Sequence, residues 1–258
     1  MFPILARLGP LTIYSYGLFL AIALVVCSFI VWKEARIRGL SEEKVIDTFL
    51  LVVISAVLSG RVGFILSHWS FFGTDLGKAF FLWKYPGLTM EGALVGAVLV
   101  SILSATGLGL SVWEVLDILS FSLSFGSLFG FLGCFLDRCL TGPTWGPVLL
   151  TGLAALTLIL LQLIGKKLRE STSLAKIARR PGLVSTSYLI FQSLSFLILG
   201  VAGRQPIRPW YLAAFLLGIA LFSYRYSDLE KLWLNSLVTF LSKLKTISKK
   251  GGETLSTG

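Results

Sequence analysis

A few ionisable and hydroxyl side chains sit inside apolar runs, and they are where chemistry can occur. Arg61 stands in LSGRVGFIL between Gly60 and Gly63. A charge buried in such a run costs roughly 3 kcal/mol or more unless it is paired or wetted. The two glycines thin the helix and let another backbone, or a lipid headgroup, come close. A fixed guanidinium suits a phosphate through paired hydrogen bonds. The competing reading is an arginine that snorkels to an interface or pairs with Glu91. Glu91, in LTMEGALVG, opens another apolar run. There it can serve as a base, or simply as an acid favoured at a helix start. Tyr16, in IYSYGLFL beside Gly17, is a hydroxyl at the edge of a run, a place where tyrosines also act as plain anchors. Arg204 and Arg208, in GRQPIRPW, form a cationic interfacial pair beside Trp210. They suit phospholipid phosphate or interface anchoring.

Other polar residues carry less. Glu114 and Asp117 lie three apart, as an acid–base pair would, but at a predicted helix start the plain reading is two acids favoured by the dipole. Cys134 and Cys139 are five apart and would not face each other on a helix, so they read as packing and caps. With Cys27 they show no CxxC spacing. His68 is the only histidine; it reads as interfacial, and a zinc site lacks ligands. No metal and no cofactor are expected.

These residues need a lipid-spanning frame. The 258-residue chain is 55% hydrophobic and 14% charged, with mean hydropathy +0.84, where a soluble domain carries about 25% charge. The apolar excess must face lipid, so the fold class is an all-α polytopic membrane bundle. Spans need about 20 apolar residues. Seven stretches serve: Thr12 to Trp32, Thr48 to Trp69, Met90 to Leu110, Val112 to Leu136, Gly146 to Gly165, Leu183 to Ala202, and a short one from Trp210 to Tyr224. The fourth is rich in Gly and Ser, with Gly126, Gly130 and Gly133 forming a close-packing face, and it ends in Asp137 and Arg138. No internal repeat is evident, which counts against a transporter built on repeats. The start has no charged segment followed by a cleavage site, so its first apolar run reads as a span.

The net charge is +10. Most basic residues cluster after the first span, after the fifth and in the tail, which places the N-terminus outside and the C-terminus in the cytoplasm. With no soluble basic domain, nucleic-acid binding is excluded as a reading. Residues 1–225 form the membrane domain. Residues 226–250 pattern as an amphipathic basic helix on the cytoplasmic leaflet, and 251–258 as a disordered tail.

In this order the pieces resemble the bacterial prolipoprotein diacylglyceryl transferase family. LGPLTIYSYGLFLA, SGRVGFIL and LTMEGALVGAVLV look like three of its segments, and the resemblance runs from Leu8 to about Tyr224. The family signature Gly-Arg-x-Gly-Asn-Phe-hydrophobic-Asn-x-Glu-x-x-Gly falls on Gly130 to Gly142. Gly130, Gly133, Phe135, Leu136 and Gly142 match. The signature Arg falls on Phe131, the two Asn on Cys134 and Asp137, and the Glu on Cys139. Glu91 stands where the family has its histidine. Its His-Pro-Ser-Gln-Leu-Tyr-Glu segment appears only as GPVLLTG, the external insertion before it is absent, and the sixth-span arginine has no counterpart. Arg204-Gln205-Pro206 matches the later Arg-Gln-Pro.

The resemblance implies transfer of a diacylglyceryl group from phosphatidylglycerol, or another anionic phospholipid, to the lipobox cysteine of a prolipoprotein signal peptide. That takes place in the bacterial inner membrane. It implies Glu91 and Tyr16 as catalytic and Arg61, Arg204 and Arg208 as phosphate-binding residues. The alternative is a catalytically silent relative that binds anionic lipid or a lipoprotein partner without transfer. A transporter or channel is the weakest reading.

Overall fold

The computed structural model describes residues 4–8, 11–73, 87–137, 145–170, 181–203 and 209–225. Arg204, Arg208, Cys139, the amphipathic segment 226–250 and the tail 251–258 lie outside the described residues. A helical bundle follows in chain order: α1 (Ser15–Arg38), α2 (Glu42–Ser67), a single turn α3 (Trp69–Phe72), α4 (Met90–Gly107), α5 (Val112–Asp137), α6 (Gly146–Glu170), α7 (Leu183–Ala202) and α8 (209–225). Six of these described helices, α1, α2, α4, α5, α6 and α7, are long and apolar enough to cross a membrane. The predicted seventh span corresponds to α8, which is helical but shorter. Val25, Leu58, Val95, Leu103, Leu163 and Val201 point out of the bundle with more than half their surface exposed, as a lipid-facing belt requires. The protein is a multi-pass membrane protein.

Several helices differ by a few residues from the expected spans, α1 running on to Arg38 and α2 starting at Glu42, and the start of the first differs for a clear reason. The first span was expected from Thr12, but Leu11–Tyr14 is a strand, β2, paired antiparallel with β1 (Ile4–Leu8), Leu8 opposite Leu11. β-Branched Thr12 and Ile13 beside Tyr14 favour extended backbone, so the helix begins at Ser15. This hairpin is an addition to the all-helical expectation. At the other end α1 and α4 both stop at left-handed glycines, Gly39 (φ 70) and Gly109 (φ 68). The following N–H groups turn back: Leu40 donates to Ala35 O at 3.0 Å and Leu110 to Ala105 O at 2.8 Å. Left-handed backbone there satisfies carbonyls that a helix end leaves open.

Packing follows two helix pairs. α2 lies along α4, and α1 lies antiparallel to α5, which also touches α6 and α7. Midway along the second pair, Cys27 Sγ donates to Ser122 O at 3.2 Å and Ser122 Oγ donates to Cys27 O at 3.1 Å. Buried hydroxyls elsewhere donate back to their own helix, as Ser101 does to Ala97 and Thr157 to Leu153. Lipid offers them no other partner.

Asp117 is not the first-turn acid that its spacing suggested. It is 3% exposed and faces the start of α7. Gly182 N donates to Oδ2 at 2.7 Å and Ser185 N to Oδ1 at 2.8 Å. A carboxylate of α5 therefore caps the N-terminus of another helix, filling the part that a local Ser or Asp usually plays. Arg38 lies 3.7 Å from the same carboxylate and 3.5 Å from Glu34. Arg225 of α8 closes the group: it donates to Pro181 O at 3.1 Å and lies over the Trp113 ring at 4.8 Å. Four helices are thus tied at one end by charge and backbone.

Asp117→Ala leaves two amide donors and a guanidinium without their acceptor. It is expected to cost on the order of 2–3 kcal/mol, read as a lower midpoint of thermal unfolding in detergent micelles; an unchanged midpoint would remove the cap from the account.

Candidate functional site

The end of the bundle opposite the Asp117 cap carries the start of α1, the end of α2, the start of α4 and the end of α5. Tyr16, Arg61 and Glu91 all lie there, with Asp137. They come in two pairs, one on each helix pair.

Small residues build the first pair. Gly60, Gly63, Gly92 and Gly96 line the α2–α4 crossing. A Cβ at Gly92 would come within 2.5 Å of Ser59 O, and one at Gly60 within 3.2 Å of Thr89 O. A Cβ at Gly63 would collide with Thr89 Oγ1, and one at Gly96 with Ser59 Oγ. Backbones that close exchange hydrogen bonds across the seam. Thr89 N and Oγ1 both donate to Gly60 O, at 3.0 and 3.2 Å, and Ser55 Oγ donates to Gly96 O at 3.0 Å. The bond at Gly60 sets Arg61, the next residue, beside the turn that opens α4 at Met90 and Glu91.

Arg61 is 6% exposed. Its Nη1 donates to Gly87 O at 3.1 Å, and the guanidinium lies 5.8 Å from the Phe64 ring and 5.4 Å from the Phe72 ring. Aromatic faces favour a cation there. Gly87 has φ 157, and a Cβ on it would overlap the Phe64 ring, so only glycine brings its carbonyl to the guanidinium. Glu91 is half-buried in the first turn of α4, where the dipole favours its charge. It is not a free carboxylate. His68 caps α2: its Nδ1 lies 3.1 Å from the Phe64 carbonyl and its ring 4.4 Å from that of Phe64, as fits an interfacial residue.

The second pair follows from the antiparallel register of α1 and α5. Arg38 meets Asp117, Cys27 meets Ser122, and a Cβ on Gly133 would lie 2.7 Å from Phe19 Cβ and 3.5 Å from Tyr16 Cα. One turn beyond Gly133, on the same face, stands Asp137. Its carboxylate is near enough for its charge to act on the Tyr16 phenol. Both side chains are half-buried. Asp137 was passed over in the sequence as the surface end of a span. The available signal was its spacing, since it continues the face of Gly126, Gly130 and Gly133.

Two further positions bear on the site. Cys134 is disulfide-bonded, which corrects its reading as packing. The helix ends only three residues later, so intact-helix spacing does not govern what its sulfur reaches. Phe131, where the signature arginine falls, packs edge-on against Phe196 at 6.0 Å, and Phe196 stacks on Tyr211 at 4.8 Å. An apolar ladder fills that place.

A family model described as prolipoprotein diacylglyceryl transferase matches residues 3–227. A phosphatidylglycerol–prolipoprotein diacylglyceryl transferase of Listeria welshimeri is 27% identical over 151 residues, covering 58% of this chain and 54% of that protein. The protein of the same name from Geobacillus kaustophilus is 32% identical over 142 residues, covering 55% and 51%. That from Bacillus velezensis is 29% identical over 136 residues, covering 53% and 50%. The chain spans about half the length of the curated relatives it matches.

Gly92→Ala must part α2 from α4 and is expected to cost about 1–3 kcal/mol. Gly152→Ala, whose Cβ meets nothing within 4 Å, is expected to be neutral or to add about 0.5–1 kcal/mol. Thermal unfolding of both in detergent checks the contrast.

Proposed function

The chain belongs to the prolipoprotein diacylglyceryl transferase family, and from that premise we propose that it transfers a diacylglyceryl group from an anionic phospholipid, phosphatidylglycerol, to the lipobox cysteine thiol of a prolipoprotein. The reading rests on one observation above all: Tyr16, Arg61 and Glu91, on three different helices, share one end of the bundle. Transfer requires an activated thiol and cations at the leaving glycerol phosphate. Arg61, with Arg204 and Arg208, supplies the positive charge, and Tyr16 and Glu91 belong to the side where the thiol enters.

Orientation fits that chemistry. Lys33, Arg36, Arg38, Lys44 and Arg225 lie at the opposite end, which the positive-inside rule assigns to the cytoplasm. A disulfide at Cys134 suits an oxidising compartment at the site end. The membrane is the bacterial inner membrane, with the site in its outer leaflet, where a prolipoprotein signal peptide and phosphatidylglycerol both reach it.

One observation favours a second reading, a silent relative that binds lipid without transfer. Phe131 and its aromatic neighbours occupy a place where the signature carries a cation, and losing one such contact costs other enzymes about 3–4 kcal/mol of transition-state stabilisation.

Purified protein is tested for moving labelled diacylglycerol from phosphatidylglycerol to a lipobox peptide. Transfer is expected in the unaltered protein. Arg61→Ala, which removes a charged hydrogen-bond donor worth about 1.5–3 kcal/mol, is expected to lower it at least tenfold. Phosphatidylglycerol binding without transfer, lost in Arg61→Ala, would select the silent relative.

A further inference from the structure

We propose that Asp137 is the group that takes the proton from the attacking thiol. The inference rests on the transferase reading and names the base of the same site.

Three features of Asp137 carry it. The first is position. The register of α1 on α5 sets Asp137 one turn beyond Gly133, whose missing side chain lets the Tyr16 backbone approach, so the two residues lie at the same end of that seam, near enough for the carboxylate charge to act on the phenol. The second is local electrostatics. Asp137 ends α5, no basic residue stands in the last turn, and the helix dipole places partial negative charge there. The dipole disfavours a carboxylate at that spot, and residues set against a local rule gather at functional sites. The third is availability. Among the described residues no hydrogen bond or ion pair engages the Asp137 carboxylate, so a lone pair is open to an incoming donor. Glu91 and Asp117 each differ on at least one of these points. Glu91 sits at a helix start, where the dipole favours it, and is already engaged. Asp117 lies at the far end and is spent on the α7 cap. The only histidine, His68, is turned to its own helix.

The step balances. The cysteine S–H gives its proton to an Asp137 oxygen. The sulfur pair forms a bond to the terminal glycerol carbon of the diacylglyceryl group. The bond from that carbon to the phosphate oxygen breaks, and its electron pair leaves on the glycerol phosphate. The products are the thioether and a phosphate monoester, and Asp137 returns its proton to water at the outer surface. Tyr16, beside it, is a positioning residue for the incoming sulfur.

A selenol is ionised at neutral pH and needs no base, which gives a test a structural role would not mimic. Full-length protein carrying Asp137→Asn is assayed with two lipobox peptides, one with cysteine and one with selenocysteine. Transfer to cysteine is expected to fall at least ~100-fold, the scale of a lost general base, while transfer to selenocysteine falls less than about fivefold. Asp137→Glu is expected to restore part of the cysteine rate. Equal loss on both peptides would make Asp137 structural and overturn the inference, as would little loss on either while Glu91→Gln abolishes transfer. No transfer by the unaltered protein to either peptide would remove the transferase reading, and the inference with it.

Discussion

Lipid tails are as apolar as leucine, so burying leucine gives two helices in a membrane no reason to meet. What draws them together is close van der Waals contact and hydrogen bonding that lipid cannot supply. In this protein that constraint is met by glycine. At Gly60, Gly63, Gly92 and Gly96 the backbones of α2 and α4 approach until hydrogen bonds pass between them, and Thr89 locks the crossing with two donors on one carbonyl. Everything at the site end inherits its place from this contact and from its counterpart between α1 and α5. A buried guanidinium can be held at Arg61 because the crossing brings the Gly87 carbonyl to it, on a residue whose lack of a side chain admits the Phe64 ring.

The bundle separates its polar work by end. One end is a tie: Asp117 caps α7, Arg38 and Glu34 join it, and Arg225 brings in α8 through Pro181 and Trp113. Its charges are matched by partners of opposite sign or by amide donors. The other end is less settled. Arg61 is buried with the Gly87 carbonyl among its partners, and Asp137 stands where the helix dipole disfavours it. Residues set against a local rule gather at functional sites, while the tied end keeps the helices in register. The aromatic ladder of Phe131, Phe196 and Tyr211 joins α5, α7 and α8 between them, with apolar packing where the signature has charge.

Much of this was legible in the chain. The apolar runs mark the spans, and Leu183–Ala202 has the bounds read from the sequence. The order of Tyr16, Arg61 and Glu91, each beside glycine, marks both the family and the candidate site. Three features were not legible. Asp117 looks like any first-turn acid, because its partners, Gly182 and Ser185, lie far along the chain. Cys134 looks like packing, because helical spacing misleads near a helix end. Asp137 looks like a span boundary, because only the register of α1 against α5 sets it by Tyr16.

Hydropathy and charge patterning alone determined that this is a polytopic membrane protein, since partition into lipid depends on the composition of each segment and not on its neighbours, and the order of the motifs around Tyr16, Arg61 and Glu91 marked the family. Which residues touch was decided by tertiary structure. A helix presents many faces, and local sequence does not choose among them. The choice was made by how the helices pack: glycines let α2 and α4 close to hydrogen-bonding distance, the start of α7 lies against Asp117, and the register of α1 on α5 puts Asp137 at the same end as Tyr16.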